Sequence, residues 1–223
     1  MRVLGVDACK RGWVGVLVTD GAVDGTLAAP TLAHLLDSAG RVDVVGIDMP
    51  IGTPSGGVRR ADIEARREVG PRVNSVFLTP SREVLNCATY GEALARSVAL
   101  TGRGISQQAY ALRGKLFEVD EVVAGRDDVC EIHPEVSFRW MAGAHLRYAK
   151  TTWAGVDLRL RLLADQGLTL AGPLEPAGGY AAPDDLLDAA AGAWSAARVH
   201  RGDAVSLPSP PEIIQGRPVA IWA

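Results

Sequence analysis

The chain has 223 residues, 48% of them hydrophobic but only 5% aromatic, which excludes disorder and calls for a sizeable core of aliphatic side chains. A net charge of −3 argues against a surface that coats nucleic acid over its whole extent, and three scattered cysteines with no C-x-x-C pair argue against a disulfide framework or a structural zinc site. The apolar run Val3–Val6 is cut by Asp7 far short of a signal sequence, and no apolar stretch reaches the roughly 20 residues of a membrane span, so a cytoplasmic protein with no membrane association is expected.

The opening reads as a β-hairpin: Arg2–Asp7, a turn at Cys9–Gly12, and Val-rich Trp13–Thr19. A weak third strand follows near Val23–Ala28, then a helix over Pro30–Ser38. Val42–Asp48 is a near-continuous apolar run of the kind buried on both faces of a sheet. Residues 51 to about 125 read as a helical insertion, with helices over Arg59–Val69, Tyr90–Leu100 and, as one long element, Ile105–Val123. A short strand Val129–His133, helices Glu135–Gly143 and Trp153–Gln166, a Gly/Pro-rich loop and an Ala-rich helix Asp184–His200 complete the body. The proline-bearing tail offers an edge strand at Pro218–Trp222. This order predicts one α/β domain over 1–223, a mixed sheet with helices on both faces.

The chemistry is carried by carboxylates at strand ends. Asp7 ends the first strand and Asp48 ends the second buried run, where an apolar strand end offers an ion little solvation. Each has a plainer alternative, a hairpin turn for Asp7 and a helix N-cap for Asp48. Asp185 and Asp188 share one face of the last helix. Asp185 in the first turn also suits the helix dipole, but Asp188 lies further in. It is followed by Ala189-Ala190-Ala191-Gly192-Ala193, small residues that let a helix lie close to a sheet. Glu131 and His133 alternate onto one face of their short strand, whereas Glu118, Asp120 and Glu121 read as a solvated helix face.

Between Pro50 and Arg82, six arginines stand against three acidic residues, and between Arg139 and Arg161 five basic residues, Lys150 among them, stand against one. These stretches are either phosphate-tracking surfaces or solvated helix faces. No Walker A loop, dinucleotide fingerprint or G-x-S-x-G elbow occurs.

Taken together, Val6-Asp7-Ala8-Cys9-Lys10 with Gly12-Trp13, Ile47-Asp48-Met49-Pro50-Ile51-Gly52, Ser75-Val76-Phe77, Glu131-Ile132-His133-Pro134-Glu135 and Asp185-Leu186-Leu187-Asp188-Ala189 resemble the RNase H-like superfamily. The late-helix pattern is similar to that of RuvC-type Holliday-junction resolvases. Over nearly its full length the chain resembles a predicted-nuclease group, domain-of-unknown-function family four-twenty-nine. The resemblance implies a five-stranded mixed sheet whose second strand is antiparallel; the long helical insertion (about 51–125) between the fourth and fifth strands, and the strand bearing Glu131 and His133, depart from the resolvase pattern. It also implies that Asp7 and Asp48 meet on adjacent central strands, approached by Asp185 or Asp188.

The resulting expectation is a nuclease that uses Mg²⁺ or Mn²⁺ in a two-metal carboxylate mechanism. Asp7, Asp48 and Asp188 would ligate metal, Glu131 or Asp185 would complete the catalytic set, and Lys10, Arg59, Arg60, Arg82 and His133 would contact the substrate. The partner would be nucleic acid or a phosphorylated small molecule. Two alternatives stand beside it: a phosphotransferase of the actin/sugar-kinase type, and a non-catalytic adaptor for nucleic acid or protein on the same fold. The oligomeric state is left open.

Overall fold

A computed structural model describes residues 1–223. The chain opens with three antiparallel strands, β1 (Arg2–Cys9), β2 (Gly12–Thr19) and β3 (Ala22–Ala29), followed by helix α1 (Leu32–Ala39) and strand β4 (Val44–Ile47). Five helices come next: α2 (Arg60–Glu68), α3 (Arg82–Leu85), α4 (Tyr90–Thr101), α5 (Gln107–Ala111) and α6 (Arg113–Val122). Strand β5 (Val129–Ile132), helices α7 (Pro134–Ala142), α8 (Trp153–Asp165) and α9 (Pro183–Arg201), and strands β6 (Ser206–Ile214) and β7 (Arg217–Trp222) complete the chain. The strands form one mixed sheet in the order β3-β2-β1-β4-β5-β7-β6. Strands β4, β5 and β7 run parallel to β1, while β2, β3 and β6 pair antiparallel to their neighbours. No helix is long and apolar enough to cross a membrane.

Period-two alternation along β1 divides the core between the two faces. Val3 packs with α7, α8 and α9 on one side, while Leu4 and Val6 pack with α1 and α6 on the other. Gly5 lies on the α9 side, and a Cβ placed there would stand 1.8 Å from the Ala189 carbonyl oxygen. Gly46 on β4 is equally tight, since its Cβ would meet the Gly192 carbonyl oxygen at 2.5 Å. Helix α9 therefore rests with its backbone directly on the sheet, through an Ala/Gly stripe buried from Ala189 to Ala193.

The tail departs from expectation. The sheet has seven strands, not five, because residues 206–222 contribute two. Pro218–Trp222 is part of β7, which is not an edge but lies between β5 and β6. The edge is β6, the strand that carries Pro208, Pro210 and Pro211, and its pairing to β7 is interrupted between Leu207 and Glu212. Proline has no N–H to give a second neighbour, so a sheet edge is where it is tolerated.

Two other elements differ. The weak third strand is a full eight residues. The single helix expected over Ile105–Val123 breaks at Leu112 into α5 and α6. Its halves bury in different places: Ala109 beneath α4, but Leu116 and Val119 against β1 and α1. The Tyr110 hydroxyl donates to the Cys87 carbonyl at 2.8 Å and holds α5 to the first of these.

Gly5→Ala should therefore cost at least about 3 kcal/mol, at or beyond the upper end of ordinary overpacking, because the obstacle is backbone rather than a side chain that can rotate away. Gly25→Ala, whose Cβ would meet nothing within 4 Å, should be close to neutral. Urea unfolding of both variants checks this, and a near-wild-type midpoint for Gly5→Ala would mean that α9 does not touch the sheet.

Candidate metal centre

The alternation that puts Val3 and Gly5 beneath α9 carries on to Asp7, and the alternation that puts Gly46 there carries on to Asp48. Val6 pairs with Ile47 in register, and the Asp48 N–H donates to the Val6 carbonyl at 2.9 Å, so the two aspartates leave adjacent parallel strands side by side. Asp188 lies one helical turn before Gly192, the residue where α9 meets the sheet. The three side chains each offer an oxygen to one point, and these oxygens lie within 4.8 Å of one another. Asp7 and Asp188 are buried and Asp48 is half-buried.

Such a cluster resists full ionisation. Burial, reinforced by Asp48 and Asp188, holds the Asp7 carboxyl well above the usual carboxylate range. Burial pushes both Asp48 and Asp188 up to about 7, against the attraction of Lys150. One Asp188 oxygen, Oδ2, accepts from the Lys150 ammonium, which comes from the loop between α7 and α8 and also lies 3.6 Å from Asp184. The other, Oδ1, is buried without a partner. Hard, anionic oxygens converging on one point, one of them unsatisfied, suit an oxygen-seeking divalent cation such as Mg²⁺ or Mn²⁺.

The remaining site candidates are placed differently. Glu131 pairs in register with Ile47, so it faces away from the Asp7–Asp48 side of the strand ends. There the Arg59 guanidinium grips it with two bonds (2.6 and 2.9 Å), and the Ile51 N–H adds a third at 2.8 Å. Arg59 is itself fully buried and binds Asp62 at 2.5 Å. Glu131 and Arg59 thus seal the floor of the cleft instead of offering free groups to it. Asp185 lines the cleft, but one of its oxygens caps the Ala182 N–H at 3.1 Å. His133 also lines it. One ring nitrogen bonds the Ser75 carbonyl at 3.2 Å, and burial holds the imidazole below its usual range, hence neutral.

Lys10 is exposed on the β1–β2 turn, Arg60 pairs with Glu64 on the surface, and Arg82 pairs with Asp120. The acidic residues of α6 are not a freely solvated face. Glu118 accepts from the Trp13 indole (3.0 Å) and from the Leu32 N–H at the start of α1 (2.6 Å), tying α6 to the hairpin. The cleft as a whole encloses about 220 Å³.

Lys150 is the site residue that sequence reading missed. It was visible only as one charge in a basic stretch, and no spacing links it to Asp188, 38 positions away.

Residues 5–213 match the family described as Protein of unknown function (DUF429), and the chain belongs to that family. Neither a curated protein nor a solved structure matches it.

The clustered carboxyls make stability depend on pH in a definite sense. Between about pH 4 and 7 the folded chain retains protons on Asp48 and Asp188 that the unfolded chain has released, and Asp7, held well above the usual carboxylate range, acts in the same sense. Their stabilising contribution is complete below pH 4 and is lost as pH rises through 7. His133 works in the opposite sense, because the folded chain disfavours its proton, but it is one group against three. In EDTA, Tm should fall by about 4 °C or more between pH 5 and 7.5, given roughly 2–4 °C per kcal/mol at this chain length. Saturating Mn²⁺ should flatten that slope. A Tm that climbs over this range in EDTA would contradict the clustering.

Proposed function

We propose that this member of the DUF429 family is a metal-dependent nuclease, a hydrolase of phosphodiester bonds built on an RNase H-like core. The observation that carries the reading is the convergence of Asp7, Asp48 and Asp188 from three separate elements on one point, with Asp188 Oδ1 unsatisfied. The order β3-β2-β1-β4-β5, antiparallel at β2 and bearing acids at the ends of β1 and β4, supports the fold assignment.

Asp7, Asp48 and Asp188 would hold Mg²⁺ or Mn²⁺, which would supply Lewis acidity toward a phosphoryl oxygen and toward the attacking water. The protein's own part is preorganisation. Backbone contact between α9 and the sheet leaves the three carboxylates little freedom to separate, and the Arg59–Glu131 pair closes the cleft floor against water. Neutral His133 lines the cleft with one buried nitrogen, Nδ1, unpartnered and able to accept from a substrate hydroxyl or amino group.

A second feature favours nucleic acid over a small substrate. Arg66, Arg67 and Arg103 surround a surface depression of about 440 Å³, and none of them pairs with an acid. Arg66 is held in place by the Val76 carbonyl at 2.6 Å. The segment 73–78 separates this depression from the carboxylate cleft and lines both. Arg66 and Arg67 of the arginine-rich stretch, unlike Arg59, Arg60 and Arg82, have no acidic partner, and Arg103 joins them from the loop between α4 and α5. An adaptor would have no need of a metal site.

Asp188→Asn retains size and removes the charge that a metal requires. It should weaken Mn²⁺ binding and lower hydrolysis of RNA or DNA by more than about 100-fold, beyond the loss typical of supporting residues. Metal-free stability should be equal or higher. Unchanged Mn²⁺ affinity by calorimetry would refute the metal centre, and lost stability with affinity intact would make Asp188 structural.

Replacing Arg66, Arg67 and Arg103 with Ala should flatten the dependence of duplex binding on salt by about 0.9 in log–log slope for each phosphate contact removed. An unchanged slope would return these residues to the solvated surface.

A further inference from the structure

Lys150 borders two buried carboxylates that each have an unsatisfied oxygen. Its ammonium bonds Asp188 Oδ2, while Asp188 Oδ1 has no partner. It also shares a depression of about 240 Å³ with Glu135. Glu135 is buried. One of its oxygens, Oε1, is taken by the fully buried Arg159, and Oε2 is without a partner. Lys150 itself is partly exposed and sits in the loop between α7 and α8, so its four-carbon stem has room to swing.

We propose that Lys150 is a metal-linked latch: without a divalent ion its ammonium neutralises Asp188, and when an ion enters it gives up Asp188 and moves to Glu135 Oε2. The inference rests on the metal reading of the Asp7–Asp48–Asp188 cluster. Its physical basis is competition. An ammonium and a divalent ion both seek the Asp188 carboxylate, and a buried carboxylate left without either is costly. Glu135 lowers the cost of release, because the displaced ammonium finds an acceptor already buried and unsatisfied. Metal occupancy would thereby be coupled to the α7–α8 loop, which borders the cleft.

The test is calorimetric Mn²⁺ titration of the full chain and four variants, with melts in EDTA as a control for folding. Lys150→Met removes the competitor. It should bind Mn²⁺ about tenfold more tightly, equivalent to roughly 1.4 kcal/mol, and should melt lower than wild type in EDTA. Lys150→Arg keeps the charge and should stay within about twofold of wild type. Glu135→Gln removes the receiving charge and should weaken Mn²⁺ severalfold, although no hydrogen bond joins Glu135 to Asp7, Asp48 or Asp188.

If wild type binds Mn²⁺ and Lys150→Met binds no more tightly, the latch is overturned and the metal centre stands. If Glu135→Gln binds as wild type does, Glu135 is not the receiving group and the proposal fails in that half. If wild type binds no Mn²⁺, the metal reading falls and the latch falls with it. Should Lys150→Met fail to fold in EDTA, Lys150→Gln, which is neutral but can still donate a hydrogen bond, replaces it with the same expectation.

Discussion

The close approach of α9 to the sheet is the constraint on which the site depends. Gly5 and Gly46 have no room for a Cβ because the α9 backbone occupies it, and Gly192 is the helical residue at the point of contact. Only small side chains permit such an approach, and the stripe Ala189–Ala193 supplies them. The contact fixes the height and rotation of the helix together. Asp188, one turn earlier, is thereby carried to the ends of β1 and β4, where strand parity has already turned Asp7 and Asp48 toward it. Repulsion among the three carboxylates is eased by Lys150 and by protons retained in the cluster, and what remains is overcome by apolar packing along the rest of α9.

Buried acids elsewhere in this protein are treated differently. Glu131 and Asp62 share the Arg59 guanidinium, and Asp62 also receives the Thr79 N–H at 2.6 Å. Glu135 pairs with the buried Arg159. In both places a buried planar guanidinium lies against the carboxylate, although Glu135 keeps one oxygen without a partner. These pairs fasten α2 to β5 and α7 to α8. Asp7, Asp48 and Asp188 have no guanidinium and share one flexible ammonium from a loop. An interior that compensates its other acids with rigid partners but leaves these three to a mobile one has the character of a ligand site.

Glu131 shows how narrowly the site is defined. It ends its strand beside Asp48, as a fourth ligand would, and sequence alternation puts it on a face with His133. Register decides otherwise. Glu131 is level with Ile47, one residue short of Asp48, and so points to the opposite side. The strand also ends at Ile132, where His133 becomes the N-cap of α7, so alternation does not extend to His133. A shift of one residue separates a candidate metal ligand from a partner for Arg59.

Much of this was legible in the linear chain. The hairpin, the buried strand ending at Asp48 and the small-residue stripe after Asp188 are local signals of period and residue size, and local signals survive folding. They sufficed to single out Asp7, Asp48 and Asp188. The seventh strand and the break at Leu112 were not legible, because each depends on which distant surface a segment buries against. Nor were the roles of the charges. Arg59, Glu131, Glu118 and Arg82 look like free ions in sequence, and Lys150 looks like any surface lysine, yet each is defined by partners between 38 and 105 positions away. The sequence by itself determined which acids stand at strand ends and which helix is slim enough to approach them, since both follow from neighbours along the chain. Only the tertiary structure decided which charges were paired and which were left open, because Coulomb attraction and desolvation act through distance in space, and pattern along the chain does not encode that distance.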